Sequence, residues 1–120
     1  MTIITPQSVS YLQSGDRLSR EEFERRYEAS PSVHRAELID GVVYVASPVR
    51  HELHGVPVGT LAFWGKSYCF ETPGVSQGMD STVRLDLETV VQPDLLLSIR
   101  PALGGQADWS KRGYIEGAPE

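Results

Sequence analysis

One dipeptide constrains this chain more than any other feature. Asp40-Gly41 lies between two short apolar runs, Ala36-Glu-Leu-Ile39 and Val42-Val-Tyr-Val45. A two-residue hairpin turn of type I′ needs positive φ at both central positions, and Asp-Gly meets that need with little strain. The spacing predicts antiparallel strands at about 35–39 and 42–47, with Pro48 closing the second. Asp40 is then a turn residue, not a site residue.

Helical signals stand on either side. Ser19 followed by Glu22 forms a capping-box pattern, which predicts a helix near 19–28. Phe23 and Tyr27 are four apart and share one face of it, and Ser30-Pro-Ser32 ends it. Residues 1–18 carry Pro6, Gly15 and scattered Ser and Gln, and read as an irregular segment ahead of one domain over 19–120. Further on, Leu53, Val56, Leu61, Trp64 and Tyr68 recur at helical spacing, yet Pro57 and Gly59 interrupt them. A proline removes a backbone donor and clashes with the preceding turn, so a helix within 50–70 should kink or restart near Pro57.

Two more strands are expected. Thr82-Val-Arg-Leu-Asp-Leu87 alternates strictly, as a half-buried strand does. Pro93-Asp-Leu-Leu-Leu-Ser-Ile99 is nearly all apolar, as a strand buried on both faces would be, with Pro93 tolerated only at its start. These two strands should pair. The stretch from Pro101 to Glu120 shows no periodic pattern. Strands mixed with helices give an α+β class.

At 120 residues the chain is about one domain with one modest core. Its 40% hydrophobic and 22% charged residues exclude collagen-like and coiled-coil architectures and global disorder. A net charge of −5 gives no support to non-specific binding of nucleic acid. The single cysteine, Cys69, cannot form an internal disulfide, which fits a reducing compartment; it reads as a small core residue. No secretory signal and no apolar run of about 18 residues is seen, so a cytoplasmic location is expected.

Few residues suggest chemistry. Asp94 opens an apolar strand, and burying an ionised carboxylate is costly without a compensating cation or donors. It is either a metal ligand or general base, or a strand-end aspartate bonded to a loop. Glu37 alternates with Leu38 and shares a face with Ile39; alone it reads as a solvated strand carboxylate. His51, Glu52 and His54 are spaced more loosely than a two-His zinc pattern and read as a solvated helix face. Phosphate-binding glycine loops, a G-x-S-x-G elbow and paired cysteines are missing from the sequence, so nucleotide hydrolysis, hydride transfer and serine-hydrolase chemistry gain no support.

Five stretches together resemble the Uma-type family of bacterial restriction endonucleases, a branch of the PD-(D/E)XK nuclease superfamily. They are Glu37-Leu-Ile-Asp-Gly41, Ser47-Pro48 leading to His51, Thr82-Val-Arg-Leu85, Gln92-Pro-Asp94-Leu and Gly113-Tyr-Ile-Glu-Gly-Ala-Pro-Glu120. The resemblance implies a restriction-endonuclease-like mixed sheet with flanking helices and a magnesium-dependent site that cleaves DNA. Within it, Asp94 matches the aspartate of the Pro-Asp motif, and Glu37 matches an upstream glutamate, a second ligand for Mg2+. Family members continue from Gly-Ala-Pro-Glu into a strand with another acidic residue and a helix with a lysine. Here no Asp-x-Lys or Glu-x-Lys occurs: Lys66 and Lys111 each follow a tryptophan at two positions' distance. The resemblance therefore implies the N-terminal part of such an enzyme, inactive alone, or else a non-catalytic binding or regulatory remnant. An uncovered edge beside 93–99 would favour a homo-oligomer.

Overall fold

The computed structural model describes residues 11–111 and 113–120. Residues 1–10 of the segment read as irregular lie outside them. From Leu12 to Leu18 the chain runs beside the first hairpin: Gly15 N donates to Val43 O at 2.8 Å, Leu18 N to Gly41 O at 2.9 Å, and Leu12 is buried.

Helix α1 spans Arg20–Glu28, and Ser19 Oγ accepts from Glu22 N at 3.2 Å, as its N-cap. The capping box is one-sided. The Glu22 carboxylate, whose bond back to the cap would complete it, instead accepts from Arg25 Nε at 2.9 Å and Arg26 Nε at 2.8 Å. Phe23 is buried and meets Tyr27 edge-on, ring centroids 5.8 Å apart.

The hairpin forms as expected, with β1 at Ala36–Ile39 and β2 at Val42–Val45. Asp40 and Gly41 take φ of 49° and 80°, as a type I′ turn requires. Alternation buries Ala36 and Leu38 and turns Glu37 and Ile39 away from them. With Leu12, Phe23, Val43 and Val90, those two residues make the core between α1 and the sheet.

After the hairpin, His51–Gly55 form a π-helical turn and α2 follows at Val56–Glu71, with Pro57 in its first turn, where its fixed φ suits a helix start. The restart at Pro57 agrees with the sequence. The face does not. Leu61, Trp64 and Tyr68 are exposed, while Val58, Ala62, Gly65 and Cys69 turn inward. Small residues let the helix approach closely: a Cβ on Gly65 would collide with Gln77 Oε1, and Gln77 Nε2 donates to Ala62 O at 3.1 Å.

The remaining strands are β3 (Val75–Met79), β4 (Val83–Arg84), β5 (Val90–Val91), β6 (Leu95–Ile99), β7 (Asp108–Lys111) and β8 (Tyr114–Glu116). Six form one mixed sheet in the order β2-β1-β5-β4-β8-β7, with β4 and β8 parallel; β3 and β6 form a separate antiparallel pair.

Three expectations need correction. The alternating stretch 82–87 is a strand for two residues only, because Leu85 N and Asp86 N both turn to Thr89 O and Asp86 Oδ1 accepts from Glu88 N. That tight turn returns the chain into β5, so Leu87 is exposed. The apolar strand is present at 95–99 but half-buried, with Ser98 its one buried residue, and it pairs with β3 instead of the 83–84 strand. The unpatterned stretch beyond Pro101 holds β7 and β8, strands too short and irregular in register to show a period. Among the described residues no helix is long and apolar enough to cross a membrane.

Candidate functional site

The first and fifth strands pair through one register, Leu38 with Val90, and then part. Pro93 lacks an N–H and cannot continue a ladder. Side chains of β1 and the residue before it fill the gap. Glu37 Oε2 accepts from Gln92 N at 2.8 Å, and Arg35 Nη2 donates to Gln92 O. The same guanidinium reaches Asp94, Nη1 donating to Oδ1 at 2.8 Å. Arg35 and Glu37, two apart, therefore grip the Gln92-Pro-Asp94 segment from one side. The Gln92 amide is itself fixed, its Nε2 donating to Tyr27 Oη at 3.1 Å and standing 3.4 Å from Thr82 Oγ1.

Two further residues converge on Asp94. Asp80, at a left-handed φ of 54°, places Oδ1 3.4 Å from Arg35 Nη1, and its backbone N–H points to Asp94 O at 3.4 Å. His54 brings Nε2 to 3.4 Å from Asp94 Oδ1. This corrects the reading of His54 as part of a solvated helix face. The π-helical turn, closed by Gly55 N donating to Arg50 O, accommodates an extra residue and sets His54 on the side facing Asp94. Sequence periodicity assumes a uniform α-helix and could not show this. His51 and Glu52 remain exposed.

Of the sequence-selected pair, Glu37 thus bonds the backbone N–H of Gln92, and Asp94 lies two residues on. Arg35, His54 and Asp80 were not selected. The only signal for His54 was its spacing three residues from His51, and Arg35 and Asp80 carried none.

Residues 20–120 match the Uma2 family, described as putative restriction endonuclease. The chain belongs to this family. No curated protein matches it at a significant level. The α+β arrangement, a mixed sheet with helices against it, is the restriction-endonuclease-like fold expected of an Uma2 member.

The donor chemistry fits a hard cation: carboxylate oxygens at a partly exposed position that already holds the positive charge of Arg35. The fit covers part of a coordination sphere. Among the described residues, no group of three or more His, Cys, Asp and Glu is arranged to hold a metal ion. Magnesium tolerates such a set, since it keeps several waters and takes one or two carboxylates.

Proposed function

We propose that this chain carries the Asp94–Glu37 half of a magnesium-dependent endonuclease site that acts on DNA. The observation behind it is that Glu37, on β1, accepts from the backbone N–H of Gln92, two residues before Asp94. The Asp94 side chain is 39% exposed and serves as the principal ligand. Glu37 uses Oε2 to orient Gln92, while Oε1 has no partner among the described residues. A magnesium ion bound there would activate water and stabilise the leaving oxygen of a phosphodiester. The chain's own residues supply position: Gln92, locked to Tyr27 and Glu37, fixes the backbone from which Asp94 projects.

Two carboxylates make a weak magnesium site, and Lys66, the lysine whose side chain is described, lies over Phe70 on α2. Residues 1–120 are therefore proposed to cleave little or no DNA by themselves. A second reading, a non-catalytic binding or regulatory role for the same fold, is favoured by the Arg35 guanidinium that pairs with Asp94. The location proposed is cytoplasmic. Homo-oligomers are proposed to form along β6, which pairs on one side with β3.

The test incubates residues 1–120 and Asp94→Ala with supercoiled plasmid in magnesium or manganese, beside light scattering on a size-exclusion column. We expect no nicking, metal-induced thermal stabilisation that Asp94→Ala removes, and a mass above the monomer. Nicking abolished by Asp94→Ala would show that the two carboxylates suffice. Stabilisation that survives the substitution would remove Asp94 from the site, and a monomer would refute the pairing.

A further inference from the structure

We infer that Arg35 is a built-in competitor for the cation at Asp94: its guanidinium occupies Asp94 Oδ1 in the metal-free chain and must leave that oxygen for a divalent ion to bind it. This rests on the metal-ligand role proposed for Asp94. Arg35 Nη1 lies 2.8 Å from Asp94 Oδ1 and 3.4 Å from Asp80 Oδ1, so one nitrogen stands between two carboxylates. The second nitrogen, Nη2, is tied to Gln92 O. Asp94 Oδ1 also meets His54 Nε2 at 3.4 Å, which leaves Oδ2 as the oxygen without a partner among the described residues.

A magnesium or manganese ion sits about 2.1 Å from a carboxylate oxygen. On Asp94 Oδ1 it would face the guanidinium across a few ångströms, and like charges that close repel strongly where water is partly excluded. The ion and the Arg35 contact are therefore mutually exclusive on that oxygen. Release is feasible because the Arg35 side chain is about one-quarter exposed and the Asp94 side chain more so. The contact has a use in the metal-free chain: without a cation, Asp80 and Asp94 would repel one another and the segment after Pro93 would lose its anchor. Arg35 is thus a positioning residue that trades its place with the metal.

Manganese titration followed by the electron paramagnetic resonance of free Mn2+ tests the exchange, using the full chain and the variants Arg35→Gln, Arg35→Lys and Asp94→Asn. Removing the competing charge should tighten Mn2+ binding in Arg35→Gln by up to about fivefold, the scale of a partly exposed ion pair. Arg35→Lys, which keeps the charge, should stay near the unsubstituted chain, and Asp94→Asn should lose binding. Equal or weaker binding by Arg35→Gln, with Asp94→Asn still defective, overturns the competitor role and leaves Asp94 as a ligand. Binding that Asp94→Asn does not affect, or no binding by any variant, overturns the ligand role and the competitor role with it. Should Arg35→Gln fail to fold, the unsubstituted chain decides: magnesium should shift the Arg35 Nε–H signal in a 15N–1H spectrum while Asp94 binds, and an unmoved signal refutes the exchange.

Discussion

Replacing Arg84 by methionine should be among the more destabilising single changes available to this chain. Arg84 stands in β4 with its side chain about nine-tenths buried. Its Nη2 lies 2.7 Å from Glu24 Oε2 on α1, and its Nη1 lies 2.6 Å from Glu116 Oε1 on β8. Its guanidinium also covers the Tyr114 ring at 4.8 Å. Burial alone would lower the Arg84 pKa, but the bonds to Glu116 and Glu24 outweigh it and push it above the ordinary range. Methionine keeps an unbranched apolar stem and removes the guanidinium, so the two carboxylates lose the cation between them. Removing one member of a buried ion pair costs about 3–5 kcal/mol. The two glutamates retain 16% and 26% exposure, and Arg20 stands 3.8 Å from Glu24 and 3.7 Å from Glu116 to absorb part of the imbalance. The lower end, about 3 kcal/mol, is therefore expected, or a fall in Tm of roughly 10 °C for a domain of this size. Urea unfolding followed by tryptophan fluorescence measures it. The triple variant Glu24→Gln, Arg84→Met, Glu116→Gln should recover most of the loss, because no carboxylate is left facing another, and Arg20, about one-quarter exposed, keeps its bond to Asp86 O. A cost below about 1 kcal/mol for Arg84→Met, or a triple variant no better than the single, would refute the reasoning that unpaired charge dominates here.

Two further outcomes are expected. The bonds from Arg25 and then Arg26 hold the Glu22 carboxyl at about 2, below its ordinary 4.5; because the folded value is depressed, the stabilisation is present above pH 4.5 and fades as pH falls toward 2. Carbon-detected NMR titration should find that midpoint, and Arg25→Gln should raise it; a midpoint near 4.5 in the unsubstituted chain would show that these bonds do not persist in solution. Gly41→Ala should cost about 1–2 kcal/mol in urea unfolding from left-handed strain alone, since the added Cβ meets Leu18 O at an unstrained 3.7 Å; no measurable cost would mean that the turn is not held at positive φ.

What the sequence made legible was local. The Ser19 cap and the Asp40-Gly41 turn are decided by bonds within four residues, and both formed. The 82–87 strand misled because alternation describes side chains, whereas Asp86 and Thr89 redirect the backbone. The α2 stripe misled because apolar spacing marks a helix without saying which side packs; small residues at Ala62 and Gly65 decided that. In the candidate site, family motifs selected Glu37 and Asp94, and the fold bonds Glu37 to Gln92, two residues before Asp94. Arg35, 59 positions from Asp94, left no pattern, because ion pairing across a sheet has no period in sequence. His54 was hidden by a change of helical type at a single turn.

The connectivity of the larger sheet has a consequence for the order in which this chain can fold. Its central ladders join Leu38 to Val90 and Val83 to Ile115, so each closes a long loop before gaining a contact. Loop closure must be met before distant pairings reward it, and topologies of this kind fold in milliseconds to seconds where local ones take microseconds. Helix α1 and the first hairpin can form at once, each from neighbouring residues. The Gln92-Pro-Asp94 segment can dock against Arg35 and Glu37 only after β5 has found β1. The acidic site is thus assembled late on the pathway, and a chain caught midway carries a finished hairpin with its two gripping side chains still empty.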